Sequence, residues 1–180
     1  MTLKKSWFNW FFLALLFTLI ALFQASFVAP FPSIFSALNL PLVVLIFCLL
    51  FMPPSSFLPL SILMGFWLDI LSFQFFGLHL ISLPITVSLL YILLTRVVTN
   101  RSFYSFLLLA ILGPLFYNFL IYTLLLIIPA GLAPGFFLLS VSFWQYLGIQ
   151  ILWSAGLMLL FFNLVNNLSK KLKPVFLEKK

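Results

Sequence analysis

A chain of 180 residues that is 65% hydrophobic and only 6% charged has too few polar groups to cover a soluble domain, in which roughly a quarter of residues are charged. Residues 6–68 and 102–169 contain no Asp, Glu, Lys or Arg, a pattern selected by a lipid bilayer. The net charge of +7 does not point to nucleic acid, because Lys4, Lys5, Arg96, Arg101, Lys170, Lys171, Lys173, Lys179 and Lys180 all sit at the ends of apolar segments.

In chain order, the punctuation by Pro, Gly, Ser and charge predicts six helices, each close to the roughly 20 apolar residues of a membrane span. The first covers about 7–29. It follows Lys4 and Lys5 as a signal peptide would, but its apolar run is longer than an ordinary h-region, and Pro30 is a poor neighbour for a cleavage site. A retained first span is therefore expected. The second covers about 38–52 and stops at Pro53-Pro54-Ser55-Ser56; the third covers about 57–73 and leads into a short turn at 74–77. The fourth covers about 78–95, closed by Arg96 and Arg101, and the fifth about 103–128, ended by the loop from Pro129 to Gly135. The sixth covers about 137–168 and runs into a basic tail, 169–180. The second and third helices are short, so five spans is the alternative count.

Charge placement tests the count. With both termini cytoplasmic, the inside segments 1–6, 53–56, 96–102 and 169–180 hold all nine basic residues, and the outside segments near 30–37, 74–77 and 129–136 hold none. An odd number of spans would place one basic terminus outside. The expected architecture is an all-α, polytopic membrane bundle of six helices (residues 1–168) plus the tail, with no soluble catalytic domain. The basic tail also suits contact with anionic lipid or a cytoplasmic protein.

Chemistry-bearing residues are few. The lone cysteine, Cys48, lies in an apolar run, with no CxxC or Cys/His cluster to hold a metal. Asp69 is the only acid within the apolar region, and inserting a carboxylate at mid-bilayer costs about 2.5–3.5 kcal/mol, so it should face the bundle interior with a partner. Ser61 and Gly65 precede it at intervals of four, making a small, polar stripe suited to close helix contact. His79 opens the next helix, with Ser82 and Thr86 on one face, and antiparallel neighbours would bring it level with Asp69. A hydrogen bond or ion pair between Asp69 and His79 is expected; the plainer alternative is that Asp69 only caps or pins the turn. Paired carboxylates, GxSxG, HExxH and a phosphate loop are all missing from the sequence, so no enzymatic scheme is indicated and no cofactor is implied.

Two further stripes of small residues stand out. The first helix carries Ala14, Thr18, Ala21, Ala25 and Ala29, and the last carries Gln145, Gly148, Gly156, Asn163 and Asn166. Each suits packing within the bundle or docking of a partner helix. Pro84 and Gly113-Pro114 should bend their helices, with Tyr117 and Asn118 available to satisfy freed backbone groups.

The segment from Leu60 to Asn100, LSILMGFWLDILSFQFFGLHLISLPITVSLLYILLTRVVTN, resembles the signature of the bacterial rod shape-determining protein MreD family. The resemblance rests on Gly65, Asp69 four residues later, Leu71-Ser72, Gly77, the basic residue His79 two places on, and an apolar helix ending in basic residues. Length, scarce loops and the short basic tail agree, and residues 39–51 are similar to the family's second helix, without the Arg-Pro or Pro-Asp often found before it. The resemblance implies a non-enzymatic inner-membrane subunit of the cell-elongation machinery. It would associate with MreC and work alongside MreB, RodA and the elongation transpeptidase. It also implies a fold similar to the substrate-binding subunits of energy-coupling factor vitamin transporters. The alternative function is that of such a vitamin-binding subunit, against which the short outer loops carry few polar groups.

Overall fold

A computed structural model describes residues 3–72, 75–96, 103–127 and 141–176. The described residues are helical, with no strands among them. The helices are α1 (Leu3–Phe23), continued by one π-helical turn (Gln24–Val28), α2 (Ser33–Ser36), α3 (Leu40–Phe51), α4 (Pro54–Leu71), α5 (Leu78–Arg96), α6 (Phe103–Ile127) and α7 (Val141–Phe176). Five of them, α1 with its π turn, α4, α5, α6 and α7, contain stretches long and apolar enough to cross a membrane. The architecture is consistent with a multi-pass membrane bundle.

The second predicted helix becomes the centre of the molecule. At 12 residues α3 reaches about 18 Å, short of the roughly 30 Å hydrocarbon layer. Leu42, Val43, Leu45, Ile46, Cys48 and Leu49 are all buried and Val44 and Phe47 half-buried, so α3 is apolar all round because most of its circumference is covered. The long helices run around it in sequence: α1 against α4, α4 against α5, α5 against α6, α6 against α7, with α3 touching all five. Asn39 starts α3 by accepting the Leu42 N–H at 3.1 Å, and Pro41 fits the first turn, where its missing N–H is not needed.

Several boundaries move for local reasons. The predicted 57–73 helix begins at Pro54, since proline is tolerated in a first helical turn, and it passes Pro59 without ending. The predicted 7–29 helix turns π-helical at Gln24, where the Gln24 side chain leaves the α1 axis to bond the α2–α3 link: Nε2 donates to Leu38 O at 2.8 Å and Oε1 accepts from Leu40 N at 3.2 Å. The predicted tail is partly helix, as α7 continues through Lys170, Lys171 and Lys173 to Phe176. The expected start of the last helix at 137–140, the 129–136 loop, residues 97–102 and the end of the tail at 177–180 lie outside the described residues.

Candidate functional site

Two neighbouring features make up the candidate site: a closed polar joint between α4 and α5, and a cavity beside it. The joint begins with the entry to α5. A helix start leaves its first N–H groups without intrahelical partners, and in a membrane such groups must be satisfied from within the protein. Asp69, in the last turn of α4 and 4% exposed, reaches across to the start of α5 to supply the acceptors. Its Oδ2 accepts from Gly77 N and Leu80 N, both at 2.9 Å, and its Oδ1 from His79 N at 2.8 Å. The Leu78 N–H donates to Phe75 O, so the first turn is fully satisfied. An acidic side chain here also lies at the positive end of the helix dipole.

The two glycines of the stretch do different work. A Cβ on Gly65 would lie 2.6 Å from the His79 carbonyl oxygen and 2.8 Å from Leu80 Cα, so only glycine lets the α4 and α5 backbones touch at that level. Gly77 has room for a side chain but holds φ at +103°, a backbone conformation that L-residues rarely adopt. Gly65 brings the helices together, Gly77 turns the chain, and Asp69 closes the polar groups that the turn opens. Ser61 and Ser82, Thr86 on the facing helix are buried in the same interface, as the stripes predicted.

The expected Asp69–His79 pair is present in altered form. Asp69 engages the His79 backbone, not its ring. The ring turns instead to α6, where Nδ1 lies 2.7 Å from the Tyr117 hydroxyl, with the two rings 17° from parallel. Tyr117, expected to serve freed backbone, instead shares its hydroxyl between His79 and the Asn39 side chain. Asn118 bonds the backbone, but not at the Ala110 carbonyl that Pro114 leaves without its N–H: Nδ2 donates to Pro114 O at 2.7 Å, and also to Gln150 Oε1 of α7 at 2.6 Å. Both Pro84 and Pro114 sit within continuous helices.

The two small-residue stripes part company. On α1, Ala21 is fully buried and Ala25 half-buried beside the buried Phe17 and Val28, so this stripe is the face that α1 presents to the bundle. Ala29, at its end, is exposed. On α7, a Cβ at either Gly148 or Gly156 would meet nothing within 4 Å among the described residues. Between them Leu152 is 74% exposed, and Gln145 and Asn163 are exposed toward the two ends of the same span. The side chain of Asn166 lies outside the described residues.

Behind the Asp69 joint lies a cavity of about 730 Å³, bordered by the π turn of α1, the α2–α3 link, and the facing ends of α4, α5, α6 and α7. Its polar lining includes Gln24, Asn39, His79, Asn118 and Gln150, two serines, and three tyrosines, Tyr117, Tyr122 and Tyr146. Gln24, Asn39 and Gln150 were not singled out in the sequence. The signal was present, since amide side chains in apolar helices are costly and tend to be gathered inside. Among the described residues no group of three or more His, Cys, Asp or Glu side chains is placed to hold a metal ion. Compared with protein-family models, with curated proteins and with solved structures, the chain has no match in any of the three.

Proposed function

We propose that the protein is a non-enzymatic subunit of the bacterial cell-elongation machinery, a membrane scaffold of the MreD kind that holds an MreC-like bitopic partner. In this reading it sits in the inner membrane with both termini cytoplasmic. α3, extended by the Met52-Pro53 link, makes the sixth crossing, and MreB, RodA and the elongation transpeptidase are reached through the assembly. The observation that carries the reading is the α7 face. Among the described residues nothing fills the space beside Gly148 and Gly156 on this apolar helix, and small residues of this kind let a second helix backbone approach closely. The resemblance over Leu60 to Asn100 supplies the family, and the commitment of Asp69 to three backbone N–H groups favours a structural over a catalytic role for the membrane carboxylate.

Affinity purification of the full chain in mild detergent tests this directly. A bitopic MreC-like protein should be recovered with the native chain and lost with the double variant Gly148→Leu/Gly156→Leu. Recovery of no such partner from a rod-shaped host sinks the proposal. The polar cavity favours a second reading, the vitamin-binding subunit of an energy-coupling factor transporter. A co-purifying vitamin without a bitopic partner would establish it instead.

A further inference from the structure

The bonding of Asn118 and Gln150 fixes what their amides can still offer. A carbonyl oxygen accepts only from a donor, so the bond to Pro114 O identifies the Asn118 atom as Nδ2. That nitrogen spends its second hydrogen on Gln150, which identifies the accepting atom as Oε1. The remaining polar atoms of the pair are Asn118 Oδ1, an acceptor, and Gln150 Nε2, a donor. Both residues are buried, at 8% and 2% exposure, yet among the described residues only Ser72 Oγ and Ser82 Oγ are sealed side-chain polar atoms without a partner. Asn118 Oδ1 and Gln150 Nε2 therefore border open volume, and the cavity that both residues line supplies it.

A second property of the cavity is its lack of cations. Among the described residues no Lys or Arg lines it, so an anionic guest would lose its hydration with no positive charge to replace it. Its aromatic lining comes from His79, Tyr117, Tyr122 and Tyr146, groups that favour contact with a flat ring. Its volume falls within the usual range for small-molecule sites, roughly 300–1,000 Å³.

We infer that this cavity binds an uncharged, flat heterocycle carrying a carboxamide, lactam or imide edge, whose N–H donates to Asn118 Oδ1 and whose C=O accepts from Gln150 Nε2. Such a site extends beyond a scaffold role and does not depend on the α7 face: a partner could be lost with binding intact, and the reverse.

The test is equilibrium dialysis of the full chain in dodecyl maltoside against three neutral probes, nicotinamide, uracil and lumichrome. At least one should bind saturably, and the anionic counterparts nicotinate and orotate should bind at least about tenfold more weakly. Leu125→Trp, which fills the cavity from a half-buried apolar wall and leaves the amide pair intact, should weaken binding by about tenfold or more; Asn118→Leu should do the same by removing the acceptor. Phe119→Leu, on the outward face of the same helix, should bind as the native chain does. If Asn118→Leu fails to fold, Leu125→Trp decides. The inference is overturned if none of the three neutral probes saturates, if the anions bind as tightly, or if Leu125→Trp binds like the native chain, which would mean partitioning into the micelle.

Discussion

The α4–α5 joint and the outer face of α7 look alike as sequence: each is a run of small and polar residues spaced along an apolar helix. In the structure they are opposites. At Gly65 the neighbouring backbone is so near that a single added carbon would collide with it, whereas at Gly148 and Gly156 the same carbon would meet nothing among the described residues. Asp69 spends both oxygens on three N–H groups of its own chain, while Gln145 and Asn163 point away from the bundle. A glycine in a membrane helix marks a place where a backbone could come close. Whether that backbone belongs to the same chain is decided elsewhere.

Substitutions on the two regions should therefore separate cleanly, and Cys48 provides the readout. It is the chain's one cysteine and it is buried in α3, so a thiol-reactive dye reports thermal unfolding of the core. The largest effect should come from Asp69→Ala, which strands three N–H donors at the start of α5 and should destabilise by about 3 kcal/mol, with Asp69→Asn losing less because it keeps an acceptor oxygen. An unchanged unfolding temperature for Asp69→Ala would remove the helix-start account altogether. Gly65→Ala should cost about 2 kcal/mol by forcing α4 and α5 apart, since overfilled interfaces typically lose 1–3 kcal/mol. A neutral result there would show that the backbone contact is not maintained. Tyr117→Phe, which deletes the hydroxyl facing His79 Nδ1, should cost about 1 kcal/mol.

The smallest effect, and the one that most sharpens the contrast, belongs to Gly156→Ala. With open space around it and helix propensity in its favour, alanine there should leave stability unchanged or raise it by up to about 1 kcal/mol. A loss of 2 kcal/mol in the isolated chain would mean that the α7 face packs internally after all. The same substitution to leucine should leave the unfolding temperature of the isolated chain alone and act only on partner recovery.

Much of the joint could be read from the residues. Asp69 had to be inside because lipid gives a carboxylate no partner, and Gly77 before an apolar run marked a turn. The plainer of the two expectations for Asp69, a pin on the turn, describes its bonds better than a side-chain pair with His79 does. That outcome follows from the helix start: three unsatisfied N–H groups within reach outcompete one imidazole, and their positions depend on a turn geometry that residue spacing does not encode. The His79–Tyr117 and Asn118–Gln150 bonds join residues 38 and 32 positions apart on different helices, so neither could be found from local pattern.

The sequence by itself determined that this is a chain of long apolar helices, where most of them begin and end, and that one acid must be turned inward. Tertiary structure alone decided which helix is central and which faces are covered. The reason lies in the solvent: lipid tails are as apolar as leucine, so a leucine buried in α3 and a leucine exposed on α7 read the same, and the hydrophobic pattern that separates inside from outside in water is silent here. Only the polar residues keep a preference for the interior, and there are few of them. What made α3 the core was the packing of five other helices around it, with Gly113 giving Ile46 the room to approach α6.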